Sequence, residues 1–305
     1  MDSFVQHLMD GLSLGVIYAL FAMACSLASS AGRLLGFANA AAALFGVAVS
    51  LAVLSASAAL GVRFEFLAVL IAFTTAVAAT SAFGGVIGAN LDIFAPRQPG
   101  LLPLLLPAGL VMIAAAALGF ADQLPATNYL RLSATSFLAF GITGLFQASI
   151  LPEKLVIITA GTALSGIVLP VICRTRFGRK WRAVSQDRGM AELFGVDVKR
   201  IDLLSVLTSF AAAGGAGSLI VLDGAAADVN SCLVTVASAF AAAVVVGLKS
   251  IRRAAGAGFI AGAATAMWSD FFSPVYAASA VFAILLFLLA FSPSRGRTSE
   301  IAEKI

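Results

Sequence analysis

Long apolar runs separated by short polar segments dominate the chain. A helix needs about 20 apolar residues to cross the hydrocarbon core of a bilayer. The pattern predicts an all-α polytopic transmembrane helical bundle of about 8–10 spans, formed as a single domain over residues 1–305. We place nine spans, at Val5–Ser30, Leu34–Leu60, Phe66–Gly88, Leu101–Phe120, Leu155–Cys173, Leu203–Leu222, Leu233–Leu248, Ala254–Trp268 and Val275–Phe291.

Two segments leave the number of spans open. Ala254–Trp268 is short and rich in Gly and Ala, so a re-entrant segment is an alternative to a full crossing. Ser133–Ile150 is apolar enough to be a tenth span, but Asp122 and Lys154 are among the charged residues that flank it. We therefore expect an external excursion over about residues 121–154, packed on the membrane domain.

Composition supports an integral membrane protein. Hydrophobic residues make up 61% of the chain and charged residues 11%, whereas soluble domains carry about 25% charged residues. The three Cys lie far apart in or beside apolar runs, which indicates free thiols, and His7 is the single His, so we expect no metal site. Because no Lys or Arg precedes Arg33, we expect the first apolar run to remain as a span rather than be cleaved as a signal.

Lys and Arg residues are divided unevenly between the two sides of the predicted membrane domain. Sixteen of the 19 fall on one side of the nine-span arrangement, and the other three, Arg63, Arg131 and Lys154, fall on the opposite side. Cytoplasmic loops carry the excess of Lys and Arg, so the rich side is predicted to be cytoplasmic. The N-terminus is then outside and the C-terminus inside. Since the basic residues sort by membrane side, we expect no nucleic-acid partner.

The predicted span centres carry no Lys, Arg, Asp or Glu. Intramembrane ionisable residues usually mark proton or ion pathways, so this absence disfavours a proton-coupled transporter or a channel with a charged ring. Asp10 is near the outer end of the first span, and Asp223, Asp228 and Asp270 fall at span ends or in loops, where we expect these three to be solvated. Gly247–Ser250 has the end of a phosphate-binding loop but lacks its upstream glycine. We therefore expect no catalytic site, and uphill transport would need energy from another chain.

Small residues at four-residue spacing occur in three of the predicted spans. Such pairs put two glycines on one helix face and allow backbones to approach closely. We expect them to serve packing within the chain, and contact with a second membrane subunit is the alternative. The pairs are Gly11 with Gly15, Gly84 with Gly88, and Gly258 with Gly262.

Four polar residues lie inside apolar spans: Tyr18, Asn39, Thr74 and Thr75. We expect each to hydrogen-bond a neighbouring helix, and a place on a translocation path is the alternative. Asn39 is the strongest path candidate because a buried amide is costly unless it is paired and Gly36 leaves room beside it.

The segment from Gly178 to Gly195 is the longest hydrophilic stretch of the chain. Apolar residues recur at helical spacing on both sides of Gly189, and Gly195 is a candidate C-cap, so we predict two short amphipathic helices along the membrane face. Anionic lipid would bind its basic residues. However, the acids Asp187, Glu192 and Asp197 stand among them, which favours docking to another protein. The apolar residues of the pattern are Trp181, Val184, Ala191 and Phe194.

Several stretches carry a family resemblance. Thr175–Asp197 resembles the cytoplasmic coupling loop of branched-chain amino-acid ABC transporter permeases, with its pattern T-x-x-G-x-x-x-R-A, then Q/E-D, then A-x-x-x-G-I. Asp10–Leu20 is similar to the family's opening N-G-L-x-x-G-x-x-Y-A-L, and Leu35–Asn39 to its segment I-N-F-A-H-G. With Phe210–Ser218 and Phe291–Pro293 also in the expected places, the resemblance covers nearly the whole chain in order. The loop residues that fit the pattern are Thr175, Gly178, Arg182, Ala183, Gln186, Asp187, Ala191 and Gly195.

The resemblance implies one permease subunit of an ATP-driven importer in the bacterial inner membrane, moving a small amino acid of branched-chain type, or an amide, by alternating access. Its partners would be a second permease subunit, two cytoplasmic ATPases that bind the ATP, and an external solute-binding protein. The chain itself would need no cofactor and would perform no catalysis. Within the coupling loop of about residues 174–202, the implied ATPase-coupling residues are Arg182, Ala183, Asp187, Ala191, Glu192, Phe194 and Gly195. Candidate path residues are Tyr18, Gly36, Phe37 and Asn39.

The sequence departs from the family pattern at two places. Asn39 is followed by Ala40 where the family has His-Gly, Gly36 replaces the usual Asn, and Val246–Ser250 replaces a Gly-Gly-x-Gly-Ser loop. The substrate therefore stays open. A passive channel or facilitator for a small neutral solute, and a scaffold that binds a partner without transport, are the alternative functions.

Overall fold

In the computed structural model, the described residues are 2–29, 35–59, 65–89, 109–117, 119, 152–224, 229–246 and 250–271, with 280, 281, 283, 284 and 287. All regular elements within these residues are helices, as the apolar pattern predicts, and residues 109–117 form a short helical segment. The principal helices are α1 (Asp2–Ala28), α2 (Leu35–Ala59), α3 (Glu65–Ala89), α4 (Pro152–Arg174), α5 (Arg176–Gln186), α6 (Arg188–Leu193), α7 (Val198–Leu222), α8 (Val229–Val246) and α9 (Ile251–Phe271).

Five of these helices, α1, α2, α3, α4 and α7, are long and apolar enough to cross a membrane. Each coincides with a predicted span. A shorter apolar stretch, Cys232–Val245, lies in α8 where another span is predicted. Ala254–Trp268 lies within one continuous helix, α9, which is not among the five helices apolar enough to cross a membrane, so the full crossing and the re-entrant segment both stay predictions. The proposed tenth span at Ser133–Ile150 lies outside the described residues, as does most of Val275–Phe291.

The bundle is organised around α1 and α7. Helix α7 packs on α1, α2, α3 and α4, and α1 makes its most extensive contact with α9. The buried core contains few side chains larger than Leu apart from aromatics such as Tyr18, Phe21 and Phe210. None of the three cysteines is in a disulfide bond, as predicted; Cys25 and Cys232 are buried and Cys173 is half-buried.

Small residues set the close approach between α1 and α9. A Cβ added to Gly258 would lie 2.5 Å from the Tyr18 carbonyl oxygen, and one added to Gly262 would lie 2.5 Å from the Leu14 carbonyl oxygen. The two helices therefore run antiparallel at a separation that a larger residue would prevent. Gly84 packs on Phe210 in the same manner between α3 and α7. These faces serve packing within the chain, as expected.

The helix pairings give the bundle two distinct ends. We call the end where α5 and α6 lie the module end and the opposite end the far end. The antiparallel contact with α1 puts the first turn of α9, with Arg252 and Arg253, at the module end. Lys154 lies at the far end, beside Asp10 in the first half of α1. The structure thus separates Lys154 from the basic segment after Arg174, as the charge pattern predicts.

Candidate functional site

The predicted coupling loop folds into the two short helices α5 and α6, which we call the coupling module. The prediction of two helices is confirmed, but the break between them is at Asp187 and not at Gly189. Asp187 is extended, with φ −149° and ψ 112°, and its Oδ1 accepts a hydrogen bond from the Met190 backbone N–H at 3.1 Å. An aspartate is a preferred N-cap, so it ends one helix and starts the next. Gly189 lies inside α6.

The C-terminal end of α6 lies just before Gly195, as the sequence predicts. Gly195 has a φ of 75°, which a glycine adopts without steric cost. Its N–H donates to the Glu192 carbonyl, and the Val196 N–H donates to the Ala191 carbonyl, both at 3.0 Å. This pair of bonds is the Schellman motif, which satisfies carbonyls that the helix leaves open. Asp197 then caps α7, because its Oδ1 accepts a hydrogen bond from the Arg200 backbone N–H at 3.2 Å.

The module is fixed to the spanning helices α1 and α4 through side-chain contacts with backbone. Trp181, buried beneath α5, donates its Nε1–H to the Leu27 carbonyl at the end of α1, at 3.4 Å. Arg182 donates from Nη2 to the Cys173 carbonyl in the last turn of α4, also at 3.4 Å. Beside it, Gly178 lies against the backbone of Ile172 with no space for a Cβ. Two spans are therefore held to one small helix.

An ion pair connects the module to a third span. Arg188 in the first turn of α6 pairs with Asp202 in the second turn of α7. The Asp202 side chain is 7% exposed, so this pair is much less screened than an exposed one. Sequence reasoning missed it because the predicted span began at Leu203, which left Asp202 in the loop. An acid next to a long apolar run was the available signal.

Large apolar side chains of α6 project away from the bundle. Leu193 is 82% exposed, Phe194 80% and Met190 50%. These three residues form what we call the docking surface. Trp181, Val184 and Ala191 from the same predicted apolar pattern are buried, but Phe194 is not among them. Burial of each such side chain by a partner would be favourable by about 1.5–3 kcal/mol.

The remaining predicted coupling residues also lie on this module. Arg182, Ala183, Asp187, Glu192 and Gly195 are exposed, and Ala191 is buried beneath α6. The structure thus brings all seven together at one end of the bundle. Their contact with an ATPase stays a prediction.

Two of the four predicted path residues, Tyr18 and Asn39, are enclosed inside the bundle. Tyr18 and Asn39 are fully buried, and the Tyr18 hydroxyl lies 2.7 Å from the Ser238 hydroxyl of α8. Asn39 Oδ1 lies 2.8 Å from the Ser209 hydroxyl of α7. The expectation of bonds to neighbouring helices is confirmed for both. Gly36 and Phe37 lie in the first turn of α2, and their surroundings fall outside the described residues.

The orientation of the Asn39 amide follows from the bonds around it. Ser209 Oγ lies 2.8 Å from both Asn39 Oδ1 and the Ala24 carbonyl, but a hydroxyl has a single proton. With Oδ1 toward Ser209, Asn39 Nδ2 has no hydrogen-bond partner. Exchanging the amide O and N, which are nearly indistinguishable atoms, lets Nδ2 donate to Ser209 while Ser209 donates to Ala24. We therefore interpret Asn39 as a clamp across α1, α2 and α7.

Two other polar residues behave differently from the expectation. Thr74 and Thr75 donate to carbonyls of their own helix, Leu70 and Ile71, at 2.9 and 2.7 Å. The predicted bond to a neighbouring helix is therefore wrong for both. A threonine hydroxyl satisfies itself on the preceding turn, so an intramembrane Thr does not require a partner helix.

A charged cluster occupies the far end. Lys154 Nζ of α4 lies 2.6 Å from Asp223 Oδ1, just after α7, and 3.1 Å from Asp10 Oδ1 of α1. Ser13 Oγ lies 3.2 Å from the same Asp223 oxygen. The expectation of a solvated acid is wrong for Asp223, whose side chain is 7% exposed. Asp228 and the side chain of Asp270 fall outside the described residues.

Comparison with known proteins gives the same family assignment as the sequence of the loop and the spans. The family model described as branched-chain amino acid transport system / permease component matches residues 7–290. The high-affinity branched-chain amino acid transport system permease protein BraD of Pseudomonas aeruginosa is 26% identical over 294 residues, covering 95% of this chain and 94% of BraD. LivH, also a high-affinity branched-chain amino acid transport system permease protein, is 28% identical in Salmonella typhimurium and 27% in Escherichia coli K12, with the same coverage.

No match was found among solved structures. The family model spans nearly all of the chain, and the relatives align from end to end rather than over one motif. The chain is a multi-pass membrane protein and belongs to the branched-chain amino acid transport system permease family.

Proposed function

We propose that this chain is one membrane permease subunit of an ATP-driven importer of branched-chain amino acids, and that its coupling module docks on a cytoplasmic ATPase. The relatives that support the substrate class are named as branched-chain amino acid permeases, and the alignments cover 94% of their length. The chain performs no ATP hydrolysis in this proposal. Two ATPase subunits bind the ATP, a second permease subunit completes the path, and an external solute-binding protein delivers the amino acid.

The docking surface is the observation that carries the coupling part of the proposal. Leu193 and Phe194 are four-fifths exposed at the end of a helix whose other side is fixed to the bundle. A loop bound only to lipid head groups would not need three capped helix starts and a buried ion pair to hold it. Rigid attachment to α1, α4 and α7 is what a docked ATPase needs in order to move those helices.

Orientation follows if the ATPase is cytoplasmic. The module end is then inside, and the N-terminus and the Lys154 cluster at the far end are outside, in the bacterial inner membrane. The concentration of exposed basic residues on α5 supports this choice through the positive-inside rule.

The path proposal keeps Tyr18, Gly36, Phe37 and Asn39. Tyr18 bonds to α8 and Asn39 to α7, so these bonds close the bundle in the present conformation. A solute that passes them requires α1 and α2 to separate from those helices. Alternating access of two permease subunits supplies such a movement, whereas a passive channel acting alone is not favoured by the family assignment.

The test is transport by a reconstituted complex. Tagged chain would be purified gently with the subunits that accompany it, placed in proteoliposomes with the solute-binding protein, and assayed for leucine uptake with and without ATP. We expect uptake that depends on ATP. The double variant Leu193→Asp, Phe194→Asp should lose ATPase binding and uptake together, because it puts charges into an apolar contact.

The matched control is Gln186→Asp, which adds a negative charge at an exposed position of the module outside the docking surface. It should retain most uptake. Leucine flux through this chain alone, without ATP, would refute the proposal in favour of a channel. Full uptake by the Leu193, Phe194 double variant would refute the docking assignment while leaving the importer itself intact.

A further inference from the structure

The Lys154 cluster joins three helices that have no sequence proximity. Asp10 and Ser13 belong to α1, Lys154 lies in the first turn of α4, and Asp223 follows the last residue of α7. One ammonium group therefore lies between two carboxylates from two different helices. The cluster is a tie that draws the start of α4 onto the central pair, α1 and α7.

The cluster is shielded from water. The side chains of Asp223, Lys154 and Asp10 are 7%, 17% and 32% exposed, and Ser13 is fully buried. Removing one member of a buried pair leaves an uncompensated charge, which is far more damaging than loss of an exposed pair. Among the described residues, Lys154 is the one cation on which both carboxylates converge, which makes it the central member of the cluster.

The module fixes the same three helices at the other end. Trp181 holds the end of α1, Arg182 holds the end of α4, and Arg188 holds the start of α7. Along α1, Asp10 and Leu27 are separated by 17 residues, which corresponds to about 25 Å of helix. The three helices are thus bonded together at both ends of a membrane-sized length.

Of the three, α4 depends most on these ties. In the most apolar stretch of α4 17% of residues are buried, against 83% in α1 and 78% in α7. Its contacts with the core include Gly161 against Val16 and Leu164 against Gly215. Yet α4 leads directly into the coupling module at Thr175, so a displacement of the module reaches α4 first.

We propose that Lys154 is a positioning residue that makes α1, α4 and α7 move as one body, so that displacement of the coupling module is transmitted to the far end of the bundle. This inference rests on the proposed function and names the helices through which ATP-driven movement passes. Without the tie, α4 would shift at its module end while its far end slipped along α1 and α7.

The experiment compares basal and solute-stimulated ATP hydrolysis in the reconstituted complex. Lys154→Met should leave basal hydrolysis near the wild-type rate and reduce stimulation by solute-loaded binding protein about 5-fold or more, the usual lower range of coupling between sites. Lys154→Arg should retain stimulation. The charge exchange Lys154→Asp with Asp223→Lys, which preserves two carboxylates and one ammonium, should recover it in large part.

The control is Thr159→Val, at an exposed position of the same helix where the hydroxyl donates to Leu155 of α4 itself. It should behave as wild type. Unchanged stimulation in Lys154→Met would overturn the proposal. Equal loss of basal and stimulated hydrolysis would also overturn it, because Lys154 would then only maintain the fold.

A second measurement decides the proposal without transport. Hydrogen exchange of purified chain should rise in residues 155–165 of Lys154→Met and stay unchanged in residues 176–193 of the module. If exchange at the start of α4 stays at the wild-type level, the tie does not exist. If wild-type complex shows no solute-stimulated hydrolysis, the importer assignment fails, and the exchange result still settles the role of Lys154.

Discussion

The two ends of the bundle hold α1 and α4 by different physical means, whereas α7 is held by an ion pair at both ends. At the module end, Trp181 and Arg182 donate long hydrogen bonds to backbone carbonyls, and apolar side chains remain exposed. At the far end, the largely shielded ammonium of Lys154 pairs with two acids. A hydrogen bond to a backbone carbonyl holds a side chain in place whatever the side chain of the accepting residue is. A buried ion cluster fails as a unit when one member is removed. The difference indicates a partner-facing end and a self-contained end.

The largest effect on stability should come from the far end. Lys154→Met leaves the buried Asp223 carboxylate without its cation, and we expect unfolding free energy in mixed micelles to fall by about 3–5 kcal/mol. Arg200→Met breaks the Asp197 pair, whose side chains are 84% and 52% exposed, and should change it by about 0–1 kcal/mol. Similar losses from the two substitutions would remove the contrast between buried and exposed pairs.

Packing beneath the module ranks next. Gly178→Ala forces a Cβ into the Ile172 backbone and should reduce stability by about 1–3 kcal/mol. Gly189→Ala is the matched substitution, since its Cβ meets Asp187 Oδ1 at an ordinary 3.6 Å inside a helix. It should stabilise by about 0.5–1 kcal/mol. Chemical denaturation of both variants measures the difference, and a stabilising Gly178→Ala would show that α5 is loosely held.

The hydrogen bond between α5 and α1 should contribute less. Trp181→Phe keeps an aromatic ring in the buried site but removes the donor to Leu27. We expect a loss of about 0.5–1.5 kcal/mol, with faster hydrogen exchange confined to the module end. Faster exchange at the far end would mean that the two ends are not held independently.

A dependence of stability on pH is also expected at the far end. Burial, opposed by Lys154, raises the pKa of Asp223 above its ordinary value of 3.8. The folded chain therefore binds this proton more tightly than the unfolded chain does. The resulting stabilisation is fully present below pH 3.8 and is lost as pH rises through the higher folded pKa.

Wild-type protein should accordingly lose stability relative to Asp223→Asn as pH rises from 3.8 through the folded pKa, and the difference should then stay constant to neutral pH. Unfolding midpoints of both proteins across this range measure the effect. A gain of relative stability with rising pH would mean that Lys154 outweighs burial. Asp10 and Ser13, the other polar residues of the cluster, are present in both proteins, so the comparison isolates the Asp223 carboxyl.

Local features of the site were predictable, and contacts between distant residues were not. The helix end at Gly195 follows from a glycine after a helical run, and the cap at Asp187 was readable from the same rule, although Gly189 drew the prediction away from it. Phe194 fits the helical apolar spacing, yet α6 turns it outward because Ala191 occupies the buried side. The spacing of apolar residues shows which of them share a face of the helix, but it does not show which neighbouring element covers that face.

The sequence by itself determined the spanning helices, the family and the composition of the loop. In lipid a helix satisfies its own backbone, so about 20 apolar residues are enough to predict a crossing without knowledge of its neighbours. Only the tertiary structure decided that Asp223 is buried against Lys154 and that Asp202 meets Arg188. Lys154 and Asp223 stand 69 positions apart, and Ser13 and Asp223 stand 210 apart. Their burial depends on how the helices are arranged around them, which no local pattern encodes.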